Sequence, residues 1–422
     1  MRGIAKNLLV ITAQYPNNTG DAAFIRTEIG YMSRVFKHIV VLSHGDPDMD
    51  CVPSPPNVTV LYFHKAHPRY LRYPKYILWL FTPSLWKEFF LIVRHKKNIS
   101  CCFAALAFLG NVFIEKKQIA AAVARHHIDL CYTFWFWVST LSCLMLHDKP
   151  VCTRTHRFDL YELRNNNNYQ PFKIQMDRET ARVLFISKNG LEYYRNTFAT
   201  RENDVYKLCY LGTENSEPFC AHDYAVSIHL LSVSNVVPVK RIHLILEALA
   251  RCSQGGIKLI WTHIGDGTEM QNIVCAAQEK LGYGDFVTYR FLGAKTNVQV
   301  CDYYKDNAVD LFVNMSESEG LPVSIMEAMS YGVPVIAPDV GGISEIVDGA
   351  SGWLLNKEHC VAEFISVIKE WANMPATKRQ QKARNAYHKW NTTFNAEKNY
   401  AAFAEEMLNV MNNWTYTRKD CI

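Results

Sequence analysis

Apolar residues in this chain fall into short β-branched runs, separated by longer stretches in which they recur every three or four positions. The first run is Asn7–Ala13; a polar loop with Pro16, Asn17, Asn18 and Gly20 follows, then helical spacing over Ala22–Val35. The pattern predicts further strands at Ile39–Ser43, Asn57–Phe63, Ile128–Phe134, Pro150–Thr155 and Arg182–Ser187. Residues 74–127 read as mainly helical, Gly190–Phe198 as a helix, and the run Asn165–Asn168 as a mobile loop tip. Periodicity lapses from Gly212 to His222, which marks a linker. A second series then begins, with strands at Ser227–Ser234, Ile257–Ile264, Phe286–Leu292, Ala308–Asn314 and Pro334–Ala337. Between and after them lie helices at Ile242–Arg251, Glu269–Leu281, Val298–Asn307, Pro322–Met329 and Ile343–Val347. Three more, over Glu358–Ala372, Thr377–Tyr387 and Ala396–Met411, close the chain. Strands joined through helices form parallel sheets, so the expected class is α/β, with two Rossmann-like domains facing each other across a cleft.

Composition changes this picture little. In 422 residues, 49% are apolar and 20% charged, an ordinary globular balance. A net charge of +5, with no concentrated basic stripe or zinc-finger spacing, argues against a nucleic-acid partner. The run Leu8–Ala13 is too short for a secretory signal, and Cys101–Ile114, broken by Gly110 and Asn111, falls short of a membrane span. A cytoplasmic protein, soluble or peripherally attached, is therefore expected. The 13 cysteines include no CxxC pair, which predicts reduced, mostly buried thiols.

Charge is unevenly placed. Residues 60–100 hold eight lysines and arginines against one acid, Glu88, interleaved with aromatics such as Tyr73, Trp79, Trp86, Phe89 and Phe90. This stretch suits an anionic membrane surface, or a groove for a phosphorylated substrate, or a helical hairpin with aromatics inward and lysines in water.

The chemistry concentrates in Asp310–Ile346. There an apolar strand ends in Asn314, Met315 and Ser316, and a glycine turn carrying Glu319 leads into a helix carrying Glu327. Amides around Gly320, Leu321 and Pro322 at a helix start suit phosphate or sugar oxygens. A carboxylate farther along can accept from two adjacent ribose hydroxyls, and Gly341 and Gly342 let a loop backbone approach the same ligand.

Glu319, Gly320, Pro322, Glu327, Ala328, Met329, Gly332, Pro334, Val335 and Ile336 form an EGxPxxxxEAMxxGxPVI pattern. The pattern resembles the donor signature of the retaining nucleotide-sugar glycosyltransferases of the GT-B fold, glycosyltransferase family 4, and the resemblance covers nearly the whole chain. It implies an N-terminal acceptor-side domain at 1–214, a nucleotide-sugar-binding domain at 215–389, and a segment at 390–422 whose helix crosses back to the first domain. The donor would be a UDP- or GDP-sugar and the acceptor a glycan or lipid-linked molecule, as in bacterial surface-polysaccharide assembly. No cofactor or metal is implied: there is no DxD-type cluster, and Asp46, Asp48 and Asp50 lie in a loop without apolar framing.

Residue by residue, the resemblance makes Lys240 the main diphosphate contact, with Arg241 or another group as a second cation, since Asn235 stands where many members have arginine. It places Glu327 on the ribose, and Glu319 with Gly320, Leu321 and Pro322 at the donor sugar. Gly265, Asp266, Gly267 and Gly293 border the nucleoside, Gly20 approaches the diphosphate, and His156 meets a sugar hydroxyl. His156, Glu319 and Lys240 are thus the expected catalytic residues. An epimerase, a phosphorylase and a non-catalytic nucleotide- or glycan-binding subunit are the competing readings.

Overall fold

A computed structural model describes residues 4–17, 22–64, 80–217, 219, 226–253, 255–282 and 286–414. The chain divides into two compact units, one formed by Met1–Tyr210 with Tyr400–Ile422, the other by Leu211–Asn399.

The first unit is built on seven strands: β1 (Ile4–Thr12), β2 (Phe36–Ser43), β3 (Val58–Tyr62), β4 (Leu130–Thr133), β5 (Val151–Thr155), β6 (Arg182–Phe185) and β7 (Tyr206–Leu208). All pair in parallel, in the order β3-β2-β1-β4-β5-β6-β7. Leu8, Leu9, Val10 and Ile11 are all buried, as a parallel strand covered on both faces requires. One face packs against the long helix Ser100–His126 through Leu109, Val112 and Ile119. The other is completed by Phe403, Ala404 and Met407 of the helix Ala396–Asn413.

The second unit has six strands: β8 (Ile228–Val233), β9 (Leu259–Ile264), β10 (Val287–Phe291), β11 (Leu311–Val313), β12 (Val335–Pro338) and β13 (Gly352–Leu355). They too are parallel, in the order β10-β9-β8-β11-β12-β13. Its core includes Trp261 and Trp371, both fully buried, each contributing about 2–3 kcal/mol of apolar burial.

Both orders are those of a doubly wound Rossmann sheet, and the two-domain α/β class read from the sequence is the one observed. In each sheet the winding reverses beside the first strand, between β1 and β4 and between β8 and β11. Ligands of such sheets sit at the strands' carboxyl ends at that reversal. Asn165–Asn168 differs from its reading as a loop tip: two 3-10 turns, Glu162–Arg164 and Asn166–Asn168, form there, and Lys97 Nζ donates to Asn168 O at 2.6 Å. Of the eleven described cysteines, six are buried, in keeping with the expected thiol chemistry.

Candidate functional site

At the reversal of the second sheet, β8 runs into a 3-10 turn, Pro238–Lys240, and then into the helix Ile242–Ser253. β11 runs into Asn314–Pro322 and the helix Val323–Ser330. Lys240 and Glu319 thereby meet across the reversal, with Lys240 Nζ 2.6 Å from Glu319 Oε1. Asn314 Nδ2 reaches the same oxygen at 3.4 Å, while its own Oδ1 accepts from Ser316 N at 2.8 Å. The carboxylate is buried and the ammonium only partly so, which leaves the cation reachable by an anion.

Arg241 takes a different part from its neighbour. Its backbone is left-handed (φ 47°), and its guanidinium donates to Met315 O at 2.8 Å and Ser316 O at 3.3 Å. Those bonds tie the β11 exit to the start of the Ile242–Ser253 helix, so Arg241 shapes the loop that carries Glu319.

Glu327 stands on the buried side of the Val323–Ser330 helix and accepts a short hydrogen bond from Asn297 Nδ2. Burial pushes its carboxyl up to about 7, although the Asn297 bond pulls the other way. Asn297 is held in turn by a capping box, in which Thr296 Oγ1 accepts from Gln299 N and Gln299 Oε1 from Thr296 N. The helix ends at Gly332, whose φ of 72° suits the residue past a helix terminus. Its first-turn amides have no carbonyl ahead of them within the helix.

The strand-exit loops are bonded to one another. Val236 N donates to Asp266 O, Gly265 N to Gly293 O, Glu317 N to Val239 O and Gly342 N to Gly320 O, all at 2.9 Å. Such closeness leaves no room for side chains: a Cβ on Gly265 would lie 1.8 Å from Ser234 O, and one on Gly341 (φ 59°) 1.9 Å from Glu319 O. Asp266 Oδ1 accepts from Gly267 N at 2.7 Å and caps the β9 exit. Leu321 is buried, and Pro322 forms the N-cap of the helix. The structure thus gathers Lys240, Arg241, Gly265, Asp266, Gly267, Gly293, Glu319, Gly320, Leu321, Pro322 and Glu327 along four strand exits of one sheet.

In the first unit, His156 follows β5 and caps the short helix Arg157–Leu160. Its ring lies 4.4 Å from that of Phe134 and 4.6 Å from that of Trp135. Burial and the Arg154 cation bring its pKa down to about 3, so the ring is neutral at physiological pH. The Phe134 backbone pulls the other way, and neither ring nitrogen makes a close hydrogen bond among the described residues. Behind it, Arg154 Nη1 and Glu28 Oε2 form a fully buried pair at 2.5 Å, with the guanidinium over the Phe403 ring. Asp159 fixes the backbone of this segment, accepting from His156 N and Phe136 N at 2.6 Å each. Gly20 lies outside the described residues.

At the carboxyl ends of β1 to β4 opens a cavity of about 560 Å³ walled by Phe63, Trp135, Trp137 and Phe158, with the Trp135 ring also in contact with His156. Its polar center is Glu115, which accepts from Ser139 Oγ at 2.7 Å and faces His44 Nε2 at 3.4 Å. Burial raises the Glu115 carboxyl to about 7. Sequence reading missed this residue and Asn297: Glu115 stands in a polar run, Glu115–Gln118, that reads as a solvated helix turn, and Asn297 is the first residue of its helix.

Residues 227–389 match the family described as glycosyl transferases group 1. The chain is 25% identical over 227 residues to WcaL of Escherichia coli strain K12, whose name places it in colanic acid biosynthesis; the match covers 52% of this chain and 55% of WcaL. The chain therefore spans about half the length of that curated relative. Among solved structures, Anabaena Alr3699/HepE in complex with UDP and glucose aligns with a TM-score of 0.63 at 17% identity, over 96% of this chain and 100% of that one. Sucrose-phosphate synthase from Thermosynechococcus elongatus aligns with a TM-score of 0.71 at 16% identity, over 97% and 100%. At these identities the shared property is the fold, the GT-B pair of Rossmann-like domains.

Proposed function

We propose that this chain is a retaining glycosyltransferase of polysaccharide assembly, moving a sugar from a nucleoside diphosphate sugar to a hydroxyl of a glycan or lipid-linked acceptor. The observation that carries this reading is the Lys240–Glu319 pair at the reversal of the second sheet, with Glu319 on the loop that leads into the helix presenting Glu327. Lys240 and the first-turn amides of the Val323–Ser330 helix supply positive potential where a leaving diphosphate gains charge. Glu327 accepts from the ribose hydroxyls, and that donation favours its ionised form. Glu319 orients the donor sugar and Lys240 together. As the anomeric carbon–phosphate oxygen bond breaks, a bond to the acceptor oxygen forms on the same face, and the acceptor proton passes to the departing diphosphate.

On the acceptor side, His156 is a neutral ring with one donor and one acceptor to offer a hydroxyl. The aromatic walls of the first-unit cavity suit the C–H face of a sugar ring, and Glu115 suits its hydroxyls. UDP, present in the Anabaena structure, is the first nucleotide to try.

A thermal-shift screen of UDP- and GDP-sugars, followed by product analysis with candidate acceptors, tests the reading. It expects one donor to stabilise the protein and free nucleotide to appear in step with a glycosylated acceptor. Donor conversion without acceptor would make the protein an epimerase, dependence on free phosphate a phosphorylase, and binding without turnover a non-catalytic subunit.

A further inference from the structure

The first unit carries a surface that none of this chemistry uses. Its helices Pro83–Arg94 and Ser100–His126 form a hairpin whose junction spans residues 95–99. The first helix buries Ser84, Leu85, Glu88 and Ile92. An ordinary surface helix would turn charged groups outward on its other side. This one presents Trp86, Phe90 and Val93, spaced i, i+4, i+7 as a single stripe. Phe81, Ile99 and Phe103 extend the apolar surface, and all six side chains are 60–80% exposed. Seven of the thirteen large apolar side chains exposed among the described residues fall between Leu80 and Phe103, so this is a patch and not scatter. The stripe is held in place: Trp86 Nε1 donates to Leu80 O at 2.6 Å, and its ring meets Phe89 edge-on at 5.6 Å.

Charge identifies what this patch faces. Between residues 80 and 128 the sequence has two acids, Glu88 and Glu115. Both are turned inward. Glu88 accepts from Tyr169 Oη at 2.6 Å and from Phe172 N and Gln175 Nε2 at 2.9 Å each, and Glu115 faces the cavity described above. Around the apolar stripe the outward charges are Lys87, Arg94 and Lys96, with Lys97 half-buried against Glu162 at 3.0 Å. No carboxylate of this segment is exposed to offset them. A water-facing surface gains nothing from bare aromatics, and a protein interface with so one-sided a charge would need an acidic partner of matching shape. A stripe of aromatic and aliphatic groups rimmed by cations fits the headgroup boundary of an anionic bilayer, with rings below the phosphates and lysines level with them.

We propose that the Leu80–Phe103 hairpin seats the protein on an anionic lipid surface. Seating requires neither the donor site nor turnover, so it stands or falls separately from the catalytic reading.

The test is co-sedimentation of the full chain with vesicles of phosphatidylglycerol and phosphatidylethanolamine at 30:70, against vesicles of phosphatidylcholine alone. The wild type is expected to pellet with the anionic vesicles, to release as salt is raised, and to stay in solution with phosphatidylcholine. Trp86→Glu/Phe90→Glu is expected to lower partitioning at least tenfold. Lys87→Gln/Lys96→Gln should lower it about fivefold per cation removed and flatten the salt dependence. The substituted side chains are exposed, so unfolding temperatures should stay within about 2 °C of wild type, a check read on the same samples. Equal binding to both vesicle types, no binding, or binding untouched by either double variant overturns the proposal. So does lipid-free self-association, seen by sedimentation velocity, that Trp86→Glu/Phe90→Glu abolishes; the patch would then be a protein interface.

Discussion

At the carboxyl ends of β8 and β11 the polar side chains are bonded to one another: Lys240 to Glu319, Glu319 to Asn314, Glu327 to Asn297. In the first unit they are set among rings: His156, after β5, lies against Phe134 and Trp135, and Glu115 lies in a cavity of tryptophans and phenylalanines at the ends of β1 to β4. The two sheets share a strand order up to their last strand, so topology does not account for the contrast. The second site is a network of charged and amide groups over glycine turns, which suits a ligand rich in charge and hydroxyls. The first offers aromatic walls around a small polar cluster of Glu115, Ser139 and His44, which suits a neutral ring. If the proposed function holds, similar scaffolds divide the work between charge stabilisation and shape selection, and variants in the two sites should fail in different ways.

The largest expected effect on transfer is that of Lys240→Ala. Removing the cation proposed to meet the leaving diphosphate should lower kcat/KM about 100- to 1000-fold, a loss of roughly 3–4 kcal/mol. The measurement is steady-state transfer with an identified donor, alongside a thermal unfolding curve unchanged in shape. Next is the Arg154–Glu28 pair behind His156. Arg154→Ala leaves a carboxyl alone in the core and should cost about 3–5 kcal/mol of stability in chemical denaturation. If it instead left stability intact while abolishing transfer, the arginine would belong to the site itself and the contrast between the units would weaken.

Glu115→Gln and Trp137→Ala should raise KM for the acceptor about tenfold and leave nucleotide affinity within twofold, a split readable from two titrations. A matched loss of nucleotide affinity would break the division of labour.

The smallest effects are in pH. Because burial raises the Glu327 carboxyl, the folded chain binds that proton more tightly than the unfolded one does. The resulting stabilisation is full below about 4.5 and is lost as pH rises through about 7. Glu327→Gln should therefore be more stable than wild type at pH 8 by about 1–3 kcal/mol, measured by denaturation of the free protein. If Glu327 holds the ribose as proposed, its ionised form binds best, so wild-type nucleotide affinity should rise more between pH 6 and 8 than that of Glu327→Gln. The opposite slope would mean that the protonated acid is the binding form.

How far each site was legible in the sequence follows from how it is assembled. The Glu319–Glu327 loop and helix are contiguous, and Gly320, Pro322 and Gly332 punctuate them, so their chemistry reads directly from the chain. The partners do not. Asn297 comes from a neighboring helix, and Glu115 from a polar run in the middle of a 27-residue helix, where nothing in the spacing says that it alone turns inward. Lys240 and Arg241 are adjacent and alike in charge, yet the left-handed backbone at Arg241 aims one at Glu319 and the other at the carbonyls of Met315 and Ser316, which no spacing rule foretells. Strands β7 and β13, Tyr206–Leu208 and Gly352–Leu355, were not among the predicted strands. The outward stripe of Trp86, Phe90 and Val93 was visible only as composition, since periodicity cannot say which of two apolar faces is buried.

The most direct test is isothermal titration of UDP and GDP into the wild type, Lys240→Ala and Glu327→Ala, all shown to be folded. One nucleotide should bind the wild type, and each substitution should weaken it by tenfold or more. Undiminished binding in both variants, or binding lost only when the first-unit cavity is altered, would contradict the assignment of the donor to the second sheet.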